Sequence, residues 1–143
     1  MPASSEAVRG SCLCGAVAFV ITAPIASMGY CHCSMCRRQH GSAFSTYCET
    51  PADGYHIERG ADEIVSYVSS PGIERRFCGR CGTKLSYHAE GAPAQVWVAA
   101  GALDDDPGVR PSYHIFTGSK ADWFDITDDL PQHAAFPPGE AHG

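Results

Sequence analysis

Seven of the eight cysteines fall into three short clusters, Cys12-Leu13-Cys14, Cys31-His32-Cys33-Ser34-Met35-Cys36 and Cys78-Gly79-Arg80-Cys81. Thiols at this density constrain the fold more than any apolar pattern in the chain, because their sulfurs must converge on soft metal ions or pair as disulfides. Stable disulfides belong to oxidising compartments. Residues 1–10 include Ser4, Ser5, Glu6 and Arg9 and carry no apolar segment of the secretory kind. The expectation is therefore a reducing cytoplasm and metal binding rather than a disulfide framework.

Local chemistry supports converging sulfurs. In an extended backbone Cys31 and Cys33 project to one side, and a turn after Cys33 returns Cys36 to the same point. The sequence predicts a short helix over 35–40, capped by Ser34 and stopped at Gly41, whose positive end favours thiolates. Cys12 and Cys14 likewise share a face, ahead of an apolar strand over 16–21 that ends before Pro24. In Phe77-Cys78-Gly79-Arg80-Cys81-Gly82 the two glycines permit the tight turn of a zinc knuckle. A redox C-x-x-C would sit beside a βαβ pattern, and the sequence has none.

Runs over 41–49, 55–58, 64–69 and 95–101 read as further short strands, separated by turn chemistry at 51–54, 59–62 and 70–72. Many strands with one short helix predict a mainly β, antiparallel architecture. Ile115, Phe116, Trp123, Phe124 and Ile126 are too apolar for a linker, so the tail should dock and cover them. With 143 residues, 44 % apolar and 18 % charged, the chain fits one domain without a membrane span. Ionising seven thiols and binding two Zn2+ takes the formal charge from -6 to -9, which argues against nucleic acid as a partner. Asp104-Asp105-Asp106, ahead of Pro107-Gly108, reads as a solvated turn. No sequence feature specifies an oligomer.

Cys12, Cys14, Cys78 and Cys81 complete one tetrahedral zinc site, closed and therefore structural. Cys31, Cys33 and Cys36 leave a fourth position. It is either filled, by Cys48 or by one of His32, His40, His56, His88 and His114, or open to a ligand. Spacing is compatible with both. A filled site makes a non-enzymatic two-zinc module that binds a protein partner; an open one can do chemistry.

The ordered set Gly10-x-Cys12-x-Cys14-Gly15, Cys31-His32-Cys33-Ser34-x-Cys36-Arg37, Gly41-Ser42-x-Phe44, Phe77-Cys78-x-x-Cys81-Gly82 and the late His114-Ile115-Phe116, Ser119-Lys120 and Trp123 resembles the glutathione-dependent formaldehyde-activating family, which includes centromere protein V-like domains. The resemblance spans residues 10–131, with mobile ends expected at 1–9 and 132–143. It implies a β-tent zinc-binding fold holding two Zn2+ per chain. The structural ion falls to Cys12, Cys14, Cys78 and Cys81, and the catalytic ion to Cys31, Cys33 and Cys36, with the fourth position free for the glutathione thiol. The implied activity is carbon–sulfur lyase, interconverting S-hydroxymethylglutathione with glutathione and formaldehyde. Cys48 lies outside this pattern. Glutathione carries two carboxylates, so an acidic chain that binds it needs local positive charge, for which Arg37 and Lys120 are the candidates.

Overall fold

Short β-branched and aromatic runs, broken wherever glycine or proline turns the chain, fold as two sheets in the computed structural model, which describes residues 7–137. The small sheet has the order β1-β2-β5, with β1 Val8–Ser11, β2 Ala18–Ile21 and β5 Tyr55–Arg59. The large sheet contains β3 Ser27–Cys31, β4 Ser45–Pro51, β6 Ile64–Ser70, β7 Ile73–Cys78, β8 Lys84–Ala89, β9 Gln95–Ala99 and β10 His114–Ile115. Its order is β10-β3-β4-β9-β8-β7-β6. Every neighbour pair is antiparallel except β10 with β3, which is parallel. One α-helix, α1 Ser34–His40, follows β3. This is the mainly β architecture the sequence predicts.

β9 organises the interior. Val96 and Val98 face the small sheet and pack with Phe19, Ile21 and Leu85, a core that also takes in Cys12 and Cys78. Trp97 and Ala99 point the other way, into a second core with Cys36, Tyr47 and Ile73. A strand's two-residue period thus places the two cysteine clusters on opposite faces of one element. Fully burying a side chain the size of Val98 contributes about 1.5–3 kcal/mol, so β9 is held from both sides.

Several boundaries differ from the sequence expectation. The cap of α1 is Cys33 rather than Ser34: its extended backbone lets Sγ accept the Cys36 N–H at 3.2 Å, so the sulfur does what a hydroxyl was expected to do. Gly41 ends the helix in the left-handed region, as predicted. The strand expected from residue 41 begins at Ser45, because 41–44 are spent leaving the helix. The tail docks through β10, and Gly29 permits it, since any side chain there would run into the Tyr113 ring. Trp123 is nevertheless 74 % exposed, whereas Phe116 and Phe124 are partly buried.

The expected mobile ends lie partly outside the described residues, at 1–6 and 138–143. Within them the chain is engaged: Val8 is buried, His133 N–H donates to the His114 carbonyl at 2.9 Å, and Phe136 meets Phe116 edge-on at 4.9 Å. No described helix is long and apolar enough to cross a membrane.

Candidate metal centres

Two loops of matching design meet at the first cluster. The N–H of Gly15 turns back to the Cys12 carbonyl at 3.0 Å, and that of Gly82 to the Cys78 carbonyl at 2.8 Å. Both glycines have φ of 81°, the left-handed conformation that glycine adopts without strain. Thr83 ties the loops together, accepting the Leu13 N–H at 3.0 Å and lying 3.2 Å from Cys81 Sγ, to which its hydroxyl donates when the sulfur is ionised. That contact pulls the Cys81 thiol down to about 5. Val17 N–H donates to Cys12 Sγ at 3.2 Å.

The sulfurs of Cys12, Cys14, Cys78 and Cys81 lie within 4.8 Å of one another. Zn–S bonds of about 2.3 Å in tetrahedral geometry put sulfurs about 3.8 Å apart. The Cys12–Cys14 and Cys14–Cys78 separations are 3.6 and 3.9 Å. Four free thiols at this spacing, met by backbone donors, fit a tetrahedral metal site.

Cys31, at the end of β3, and Cys33 and Cys36, at the start of α1, form the second group within the same limit. Crowding splits their acidities. Hydrogen bonds from Cys31 and Cys36 and the Cys36 N–H hold Cys33 far below the usual thiol range, while the hydrogen bonds with Cys33 and Cys36, and burial, drive Cys31 far above it. Three converging sulfurs fit a metal ion, whose positive charge would favour their ionising together. All three line a cavity of about 340 Å³ whose walls include Tyr47, Tyr87, Trp97 and Arg75. Tyr87 and Trp97 stack at 4.7 Å with an interplanar angle of 7°. The tail closes the cavity with Tyr113, Phe116 and Phe136.

Cys48 belongs to neither group. It is a fully buried strand thiol opposite Met28 and Val98, pushed up to about 11 by burial. No described histidine joins either sulfur group: His40 pairs with the Tyr47 hydroxyl at 2.9 Å, His88 with Ser86 at 3.0 Å and His32 with His114, while His133 lines the cavity. Arg37 and Lys120 do not line the cavity. Arg37 Nε donates to the Ser119 carbonyl at 3.1 Å, and Lys120 Nζ to the carbonyls of Ala121 and Phe124. The cation that does reach the cavity wall is Arg75, which the sequence presents only as part of the strand leading to Cys78. Arg76 pairs with Glu74 at 2.8 Å on one face of β7, leaving Arg75 for the other.

The family model for the glutathione-dependent formaldehyde-activating enzyme matches residues 7–119. A Halomonas elongata protein named "Putative glutathione-dependent formaldehyde-activating enzyme" is 33% identical over 128 residues, covering 83% of this chain and 80% of its own. An uncharacterized lyase of Schizosaccharomyces pombe is 31% identical over 120 residues, covering 84% and 85%. The crystal structure of a Rhodobacter sphaeroides protein superposes with a TM-score of 0.60 over 87% of this chain and 98% of that chain, a likeness of fold at 22% identity.

Proposed function

Because this chain belongs to the glutathione-dependent formaldehyde-activating enzyme family, we propose that it is a zinc-dependent carbon–sulfur lyase acting on a glutathione adduct, forming or cleaving S-hydroxymethylglutathione. The observation that carries this reading is the contrast between the two sulfur groups: four converge in one, while three line a cavity in the other. Zinc held by Cys31, Cys33 and Cys36 supplies, when bound, a Lewis acid that favours the ionised form of a substrate thiol.

The protein's own contribution is enclosure and fixed charge. Aromatic walls from Tyr47, Tyr87 and Trp97 exclude water from the sulfurs, which strengthens every electrostatic interaction at the site. Burial holds the Tyr47 phenol protonated, and its hydroxyl lies 2.9 Å from Nε2 of His40, a ring that burial keeps neutral at ordinary pH. In the forward direction the glutathione sulfur bonds to the aldehyde carbon. The carbonyl π pair moves to oxygen, which takes up a proton equivalent to the one the thiol gave up; cleavage reverses this. No redox partner is needed.

The competing reading, a two-zinc module for a protein partner, requires a fourth protein ligand at the second site. Cys48 is buried in its strand, His32, His40, His88 and His114 are engaged elsewhere, and no described histidine joins the three sulfurs, which weighs against it. We also assign the chain to the cytoplasm, because eight free thiols suit a reducing compartment. The test is exchange NMR between formaldehyde, glutathione and their adduct. Zinc-loaded protein should speed the exchange above the spontaneous rate, and an unchanged rate would remove the lyase reading.

A further inference from the structure

Arg75 is a buried cation without a carboxylate. It is 6 % exposed, and among the described residues no acidic side chain lies within ion-pair distance of it. Its contacts are neutral groups and one sulfur. Nε donates to Ser69 Oγ at 2.9 Å, and Nη1 to Gln39 Oε1 at 3.3 Å and to Cys36 Sγ at 3.5 Å. The guanidinium carbon stands 5.6 Å from the centroid of the Tyr87 ring. A guanidinium taken out of water costs several kcal/mol unless an opposite charge compensates it, and a cation–π contact offsets only part of that. The compensating charge available here is the cluster of Cys31, Cys33 and Cys36.

We propose that Arg75 is the positioning charge that lets the three-cysteine centre accept an anionic thiolate as its fourth ligand, through the contact of Nη1 with Cys36 Sγ and the guanidinium's place in the cavity wall. This rests on the open-site reading above and adds the basis of its ligand preference. Three thiolates and a divalent ion leave one net negative charge, which Arg75 cancels. An incoming thiolate then meets a neutral centre rather than an anionic one. The anchoring by Ser69, Gln39 and Tyr87 means the charge is already in place and need not reorganise when the ligand arrives. Among the described residues no arginine donates to any sulfur of the four-sulfur group, which takes no further ligand.

The test uses cobalt(II)-loaded protein, in which sulfur-to-cobalt charge-transfer absorption reports the ligands at the open centre. Glutathione and 2-mercaptoethanol are titrated as anionic donors, with imidazole as a neutral one, at one pH. Wild type should bind both thiols saturably. Arg75→Met should weaken both thiols about tenfold or more while changing imidazole by less than about threefold, and Arg75→Lys should restore most of the thiol affinity. Because 2-mercaptoethanol has no carboxylate, its loss separates thiolate stabilisation from recognition of glutathione's acidic groups. Equal weakening of thiols and imidazole, or no weakening, would overturn the proposal. Should Arg75→Met not fold, Arg75→Gln keeps a donor for Ser69 and Gln39 and carries the same expectations. If the wild-type spectrum does not respond to any thiol, the open-site reading itself fails, a different result from a response that Arg75 does not affect.

Discussion

His32 Nε2 and His114 Nδ1 lie 2.8 Å apart, joining the loop between two clustered cysteines to a strand 82 residues later. Both rings are buried, at 0% and 2% exposure. His114 Nε2 lies 3.0 Å from Asp128, and an ionised carboxylate only accepts. With its proton on Nε2, a neutral His114 accepts at Nδ1 from the His32 Nε2–H. One surface carboxylate thus sets two ring tautomers and, through them, the back of the Cys31–Cys33 loop. Burial, followed by the neighbouring His114, keeps His32 neutral by lowering its pKa.

Removing the second ring should be costly. His114→Leu keeps most of the volume but leaves the His32 Nε2–H without an acceptor, a loss of about 1–3 kcal/mol. Asp128→Ala acts at an exposed carboxylate and should cost less. Urea unfolding at neutral pH checks the order; equal effects would mean that the surface end matters as much as the buried one.

The two sulfur groups should fail differently. Cys81→Ala breaks the junction between loops around residues 12 and 81, so it should lower both zinc content and the melting temperature. Cys36→Ala should leave a folded chain with about one zinc, because the other group stays whole. Elemental analysis and calorimetry on the same samples decide it, and equal unfolding by both would make the second ion structural too.

Cys48→Ala should leave zinc content at its wild-type value. The side chain packs between strands, and removing its sulfur should cost about 1–2 kcal/mol as a small cavity. Loss of one metal equivalent would identify Cys48 as a ligand.

Much of this was readable from spacing. Cysteine pairs two or three residues apart constrain their own loops, and Gly15, Gly41 and Gly82 announce the turns that close those loops. What spacing could not give was set by contacts across the fold. Arg75 and Arg76 look alike in the sequence, and only the register of β7 against β8 puts one opposite Tyr87 at the cavity and the other beside Ser86. Arg37 follows Cys36 directly and suggests a ligand contact, yet the last turn of α1 carries it to the Ser119 carbonyl. Apolarity predicted cover for Trp123, but its neighbour Phe124 is the one that meets Phe44, at 5.4 Å, and Trp123 is left outside.

Acid should destabilise the fold through two further histidines. Burial, assisted by Arg76, lowers His88 to about 4, and burial, assisted by Arg75, lowers His40 to about 4. Both titrate near 6.5 when unfolded, so the unfolded chain takes up protons first as pH falls. Their contribution is whole above pH ~6.5 and declines steadily toward pH ~4. Protonation of cysteines adds its own acid sensitivity, so the informative comparison is His88→Gln against wild type. The variant's urea midpoint should fall less between pH 7 and 5, and parallel curves would show that His88 does not contribute.

The parallel pairing of β10 with β3 sets an order of assembly during synthesis. All four sulfurs of the first group exist once residue 81 has emerged, so that site can close on a chain still being made. The second group's cysteines are made early, but the strand and ring that back them come only with His114, and the cavity wall from Phe136 later still. N-terminal parts of a chain generally fold first. Cys31, Cys33 and Cys36 therefore go without the backing of β10 and the His114 ring until the chain has grown well past them.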